Sequence, residues 1–451
     1  MQTLVIGCGT IGSTIAALLC REGHNVTVID RSRDNVQNVT DRLDAMGYCA
    51  DGTNLDDLIE AGVKDTDLAI AVTEGDEKNF IACMLAKKAG NCQTICRVAT
   101  AESQRNARFL RDEMGLSMVI NPKILSARAI QRLLKYPAAI DVETFANGRV
   151  ELSRYRVREN SILTDCPLKD LSQRIRCSIL VCIVERNGEV FIPGGDFTLR
   201  ANDIISVVAD NANIMKFMKK AGMDTDPVRR VMIVGGSSTA EYLTRMLLEL
   251  GMDVTLIEKD MKRCEELSYL FPKASIVHDD GTDRDTLMEE GILTSDAFVA
   301  LTSRDEENIL LSLYVKSISG AKVISRMHHI SYDNLMDDFD IGSVIVPQNI
   351  VANAVLRFVR AMNNSMDSNV ETLYRLAGGR VEALEFAIKD VSPIIGVPLK
   401  NLRLKPQVII AAIMRRDGVI IPGGTDSIQI GDRVIIITAQ EGLNEIKEIV
   451  L

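Results

Sequence analysis

The chain has 451 residues, 46% of them apolar and 25% charged, and a formal net charge of −10. That length predicts about three or four domains of ordinary globular composition. The acidic balance, with no basic stripe, argues against a nucleic-acid binder. Residues 1–7 run straight into a strand rather than a secretory signal, and apolar runs such as 408–414 and 434–437 fall far short of the roughly 18 residues needed to span a bilayer.

In chain order, residues 3–6 form a short apolar strand that ends at Gly7. Residues 11–22 carry Ile11, Ile15, Leu18 and Leu19 at helical spacing, and Gly23 stops that helix. Residues 26–29 form the next strand, closed by Asp30. The loop between strand and helix reads Gly7-Cys8-Gly9-Thr10-Ile11-Gly12. Its first glycine permits a tight turn, its second lets a pyrophosphate approach the backbone, and its third lets helix and strand pack closely. The helix N-terminus offers free N–H groups to phosphate. Asp30 stands about 20 residues past the glycines, where a carboxylate accepts hydrogen bonds from both ribose hydroxyls. The acid disfavours NADP and leaves NAD(H), ATP and ADP open. Residues 68–72 form a strand that ends at Thr73 and Glu74, and Arg97 follows a further strand; such strand ends line the ligand crevice of open α/β sheets.

Asn121-Pro122 then opens a helix over 123–134. Residues 178–193 hold two apolar runs around Asn187-Gly188, a hairpin signal, and Gly194-Gly195 adds a turn. A strand over 203–209 and a helix over 212–220 complete a small β-rich unit with no evident catalytic group. A short polar seam, 223–227, closes on Pro227.

Beyond the seam the sequence repeats itself. Gly7, Gly23 and Asp30 are answered by Gly235, Gly251 and Glu258; Asp51-Gly52-Thr53 by Asp280-Gly281-Thr282; Thr73 by Thr302; Arg97 by Arg326. Pro167-Leu168-Lys169 and the Ile192-Pro-Gly-Gly turn recur as Pro398-Leu399-Lys400 and the Ile421-Pro-Gly-Gly turn. The second glycine loop has drifted to Gly235-Gly236-Ser237-Ser238-Thr239-Ala240, and Ser237 adds a side chain where phosphate must come close. Its occupancy is therefore open. A helix over 348–362, with Ile350, Val351, Ala354, Val355 and Phe358 on one face, fits packing on a partner domain or on its own core. A second hairpin is expected at Asp417-Gly418, then a strand over 432–438 and a helix over 441–449.

The predicted fold class is α/β: two Rossmann-like doubly wound parallel sheets, each followed by a small α+β domain. The expected boundaries are 1–120, 138–222, 228–345 and 368–451. That order, carried by Gly7, Gly9, Gly12, Asp30, Asp51-Gly52-Thr53, residues 67–73, the two Pro-Leu-Lys segments and the two Ile-Pro-Gly-Gly turns, resembles the Trk-type potassium uptake regulatory subunits, the TrkA family with tandem RCK (KTN) domains. The resemblance covers essentially the whole chain. It implies a cytoplasmic subunit, peripheral on the inner face of the cell membrane, that binds NAD(H) or ATP/ADP and gates a Trk-type membrane potassium transporter. It implies a homotetrameric ring of eight Rossmann domains. Carried over by position, the first set of contacts is Gly7, Cys8, Gly9, Thr10, Ile11 and Gly12, with Asp30, Thr73, Glu74 and Arg97. The second is Gly235, Gly236, Ser237, Ser238 and Thr239, with Glu258, Thr302 and Arg326.

Two alternatives remain. An NAD-dependent oxidoreductase needs an acid/base near the nicotinamide; among four histidines, the pair His328-His329 is the best candidate. A stand-alone nucleotide sensor needs no transporter. The 10 cysteines form no CxxC pair, so no metal site is expected, and on the leading reading no residue is expected to be catalytic.

Overall fold

The computed structural model describes residues 1–145, 149–223, 226–328, 341–364, 370–389, 392–416, 418–440, 443 and 445–451. The first unit runs β1 (Gln2–Ile6), α1 (Thr10–Arg21), β2 (Asn25–Asp30), α2 (Arg33–Thr40), β3 (Ala45–Cys49), α3 (Leu55–Glu60), β4 (Leu68–Ala71), α4 (Asp76–Gly90), β5 (Gln93–Arg97), α5 (Ala101–Met114) and β6 (Met118–Ile120). Its strands lie parallel in the order β3-β2-β1-β4-β5-β6, the doubly wound Rossmann arrangement. Strands buried on both faces read as continuous apolar runs, and Leu68 to Ala71 are fully buried. The order reverses between β1 and β4, so a crevice opens at their carboxyl ends.

A long helix, α6 (Pro122–Lys135), leads to β7 (Asp141–Phe145), β8 (Val150–Arg156), α7 (Leu168–Ile175), β9 (Leu180–Arg186), β10 (Glu189–Phe191), β11 (Ile204–Ala209) and α8 (Asn211–Lys220). The five strands form an antiparallel sheet in the order β10-β9-β11-β8-β7. The expected turn joins β9 to β10, with Asn187 at φ 50° and Gly188 at φ 79°, both left-handed as a type I′ turn demands.

The second half repeats the plan: β12 (Arg230–Val234), α9 (Ser238–Glu249), β13 (Asp253–Glu258), α10 (Met261–Leu270), β14 (Ser275–His278), α11 (Arg284–Glu289), β15 (Ala297–Ala300), α12 (Asp305–Ile318), β16 (Lys322–Arg326) and β17 (Ser343–Ile345). Helix α13 (Pro347–Asn364) then leads to β18 (Val370–Leu376), β19 (Val381–Ala387), β20 (Val408–Arg415), β21 (Gly418–Ile420) and β22 (Arg433–Thr438). The parallel sheet has the order β14-β13-β12-β15-β16-β17 and the antiparallel sheet β18-β19-β22-β20-β21, each the counterpart of its partner in the first half.

Several expectations shift. The helix expected at 441–449 is, among the described residues, only a 3-10 turn over Ile446–Ile449. Helix α7 has as its counterpart a 3-10 turn over Leu399–Asn401. Asp417 of the second hairpin, residues 224–225 of the seam and His329 lie outside the described residues.

The two halves are interlocked. Helix α6 packs against α9 of the second unit, and Ala127, Ile130, Leu133 and Leu134 share one core with Leu243 and Leu247. Helix α13 packs back on α1, and Val351, Ala354, Val355 and Val359 share a core with Ile15, Ala16 and Leu19. Of the apolar face expected on α13, Val351, Ala354, Val355 and Phe358 therefore cover the partner unit, while Ile350 packs on the core that the second unit shares with α6. The antiparallel sheets meet through Phe145, Leu152 and Ile183 on one side and Val381, Met414 and Ile437 on the other.

Candidate nucleotide sites

The glycine turn of the first site folds back between β1 and α1. Gly7 has φ +103°, and a Cβ there would meet the Thr73 amide nitrogen at 3.0 Å. A Cβ on Gly12 would stand 1.8 Å from the Gly7 carbonyl oxygen, so both positions require glycine for packing. Gly9 differs: a Cβ there would meet nothing within 4 Å, and its backbone is extended at φ −67°. The protein's own packing does not demand that glycine, whereas a close-lying phosphate would.

The drifted copy handles the same position differently. Ser237 is the N-cap of α9, and its Oγ accepts the Ala240 N–H at 3.4 Å. The added side chain is turned into helix capping. Gly235 keeps the tight turn at φ +97°.

Each acid that closes a second strand braces its own glycine loop. Asp30 Oδ2 accepts the Cys8 N–H at 2.7 Å, and Oδ1 accepts the Ser32 N–H at 2.8 Å. Glu258 Oε2 accepts the Gly236 N–H at 2.6 Å, and Oε1 accepts the Asp260 N–H at 2.8 Å. An ionised carboxylate has about four lone-pair sites, so each keeps capacity for a ribose diol. Burial, then the charge of Asp30, push the Cys8 thiol up to about 12, so it contributes backbone and bulk rather than reactivity.

At the ends of the fourth strands stands a feature the sequence reading missed. Asn79 is fully buried in α4. Its Oδ1 accepts from Thr73 N at 2.8 Å and Thr73 Oγ1 at 2.7 Å, and its Nδ2 donates to the carbonyls of Thr73 at 3.1 Å and Arg97 at 3.0 Å. Asn308 makes the same four bonds: to Thr302 N at 3.0 Å, Thr302 Oγ1 at 2.9 Å, the Thr302 carbonyl at 3.2 Å and the Arg326 carbonyl at 2.9 Å. The Thr73 and Thr302 hydroxyls are thus held by these amides, which ties the ends of β4 and β5, and of β15 and β16, together. The recurring Thr-to-Asn spacing was the available signal. Glu74 is exposed beside this junction and Ser303 is exposed beside its counterpart.

Arg97 and Arg326 are the last residues of their strands. Arg97 donates to the Thr73 carbonyl at 2.6 Å; Arg326 donates to the Thr302 carbonyl at 2.9 Å and approaches Ser237 Oγ and Thr239 Oγ1, both at 3.5 Å. The Nε of each is buried without a hydrogen-bond partner. Burial pushes both guanidinium values down, most strongly opposed by Asp76 for Arg97 and by Asp305 for Arg326. A buried donor left unsatisfied is costly, and a phosphate oxygen would satisfy it.

The second site is a cavity of about 430 Å³ lined by Gly235, Gly236, Ser237, Ser238, Glu258, Thr302 and Arg326 among others; Thr239 lies behind it, buried. Arg263 of α10 seals one side: its guanidinium donates to the Gly236 carbonyl at 2.8 Å and to Glu241 at 2.8 Å. The equivalent positions in the first half are Asn35 and Ser13, so that side stays open. There Cys8, Gly9 and Thr10 border a cleft of about 1040 Å³ that extends past α1 and α2 to α13 and the small sheets. Gly7, Ile11, Gly12, Asp30, Thr73, Glu74 and Arg97 are not among the walls of that cleft.

His328 is committed to Asp305: its backbone N–H lies 2.9 Å and its Nδ1 3.1 Å from the carboxylate. The equivalent Asp76 accepts from the backbone of Ala99 and Thr100 at 2.8 and 2.9 Å. The backbone part of the His328 contact is thus repeated in the first half, at Ala99. Among the described residues no helix is long and apolar enough to cross a membrane.

The TrkA-N domain model matches residues 3–122 and 231–347, and the TrkA-C domain model matches residues 152–222 and 383–451. The Trk system potassium uptake protein TrkA homolog 2 of Methanosarcina mazei is 30% identical over 457 residues, covering 100% of both chains. The TrkA homolog of Archaeoglobus fulgidus is 30% identical over 449 residues, again covering 100% of both. The TrkA protein of Haemophilus influenzae is 30% identical over 445 residues, covering 97% of this chain and 95% of its own. Among solved structures, the GsuK channel bound to NAD matches with a TM-score of 0.61 at 17% identity, covering 97% of this chain and 76% of that one. GsuK bound to ADP matches with a TM-score of 0.50 at 14% identity, covering 80% and 69%. With both domain models matched twice and full-length relatives at this identity, the chain belongs to the TrkA family of Trk system potassium uptake proteins.

Proposed function

We propose that this chain is a nucleotide-binding regulatory subunit that gates a Trk-type membrane potassium transporter and performs no chemistry on its ligand. The observation that carries the reading is the duplicated frame: an acid-braced glycine turn beside a half-buried arginine whose buried Nε has no partner. The proposed contacts are the glycine turns from Gly7 to Gly12 and from Gly235 to Thr239, with Asp30 and Glu258 on the ribose. Arg97 and Arg326 take phosphate, and Thr73, Glu74 and Thr302 complete the edges. NAD(H) is the first choice of ligand and ATP or ADP the second, because all carry the free ribose diol an acid recognises. The ligands of the GsuK structures, NAD in one and ADP in another, agree with that set.

Gating requires only that a ligand bind one arrangement of the halves better than another; a differential of about 1–3 kcal/mol suffices. In the family's ring model, four such chains would present eight Rossmann units beneath the transporter. The test is calorimetric titration of NAD, NADH, ATP and ADP into the full chain and its D30A and E258A variants, with potassium flux measured in membranes carrying the transporter subunit. D30A should abolish one binding component and alter nucleotide-dependent flux. Flux indifferent to D30A in a folded, assembled variant overturns gating through the first site.

A further inference from the structure

Lys123 belongs to the first half of the chain but its side chain faces the second. Asn121 caps α6, its Oδ1 accepting from Lys123 N at 3.0 Å and Ile124 N at 3.3 Å, so the first turn of the helix is fixed. From there the Lys123 ammonium donates to the Ala99 carbonyl at 3.0 Å and to Ser238 Oγ at 3.2 Å. Ala99 lies just past Arg97; Ser238 opens α9 and lines the 430 Å³ cavity of the second site. An ammonium has three donors, and these contacts use two of them.

Charges of both signs surround this lysine. Burial and the Arg97 guanidinium push its pKa down; Asp76 and Glu241 pull it up; Arg326 pushes it down again. Three cations from three elements therefore converge at the seam between the two Rossmann units, and both arginines carry a buried Nε with no partner. Asp76, Glu241 and Asp305 offset part of that charge, but the two unpartnered Nε donors and the third donor of the ammonium are left for an anion to satisfy.

The arrangement is not symmetric. The position equivalent to Lys123 on α13 is Gln348, a neutral side chain that borders the first cleft beside Gly9 and Thr10. Each connecting helix thus offers its first turn to the opposite nucleotide site, and only the second site receives a positive charge.

Resting on the nucleotide-binding reading above, we propose that Lys123 is a phosphate-binding residue of the second nucleotide site, supplied by the first half, and that it makes that site favour the ligand with the greater phosphate charge. The second site then prefers a nucleoside triphosphate or diphosphate to a dinucleotide, and its occupancy bears directly on the backbone behind Arg97 of the first.

The test uses the full chain. ATP, ADP, NAD and adenosine are titrated calorimetrically into wild type, K123Q and K123R, and the second-site component is identified as the one that E258A removes. K123Q should weaken that component about tenfold for ATP, less for NAD and not at all for adenosine, with K123R close to wild type. The component removed by D30A should keep its affinity within about twofold. An unchanged second-site component in folded K123Q, or an equal loss for adenosine, overturns the assignment. So does the absence of any component sensitive to E258A, or a failure of K123Q and K123R alike to fold. Wild type that binds no nucleotide at all would sink the proposed function itself.

Discussion

At the scale of single residues, the buried amides define the crevice as firmly as the glycines do. Asn79 satisfies the backbone of Thr73 and of Arg97 at once. N79A would leave a cavity at a fully buried position and take the partner from the half-buried Thr73 amide and hydroxyl, and should cost about 2–4 kcal/mol in denaturant unfolding. N308A should cost a similar amount in the second half. A loss under about 0.5 kcal/mol would show that the amide is not needed to join the two strand ends. The glycine turn, Asp30 and Glu258 were legible because their constraint is local: a turn, a helix start and an acid at fixed spacing. Asn79 and Asn308 were not read, because an asparagine inside a helix looks solvated until the fold buries it. The capping role of Ser237 was hidden for a related reason. Spacing alone places a hydroxyl near phosphate, whereas its geometry as an N-cap turns it toward Ala240.

At the scale of elements, the two connecting helices decide how the halves meet. The periodicity of α13 was legible; which surface would cover it was not, since an apolar stripe does not name its partner. Glu143 on β7 sits where α6 and α13 approach the first small sheet. Burial, then the charge of Asp141, raise its carboxyl from 4.5 to about 7, against the pull of Arg132 and Arg357. The folded chain therefore holds this proton more tightly than the unfolded chain does. The group's contribution to stability is whole below 4.5 and is lost as pH climbs to about 7. E143Q stays neutral throughout, so it should flatten this part of the pH dependence, by on the order of 1–3 kcal/mol between about pH 4 and about pH 8. Unfolding of both chains across that range measures it, and parallel curves would remove Glu143 from the account.

At the scale of the whole molecule, the sequence duplication predicted four sheets in the observed order, but not that the halves exchange helices. Residues 1–222 alone would leave Ile15, Ala16 and Leu19 without α13, and Ile130, Leu133 and Leu134 without α9. Such a fragment should self-associate, as sedimentation would reveal; a well-behaved monomer with a cooperative melt would mean that the exchanged helices are dispensable. Tethering also has an evolutionary consequence. In a dimer of identical subunits every substitution is suffered twice, once across each face of the two-fold axis. Fusion into one polypeptide lifts that restriction, so Ser237, Ala240 and Lys123 can stand opposite Gly9, Gly12 and Gln348 without disturbing them. One molecule can then carry two pockets of the same plan whose linings differ, and each can change without the other.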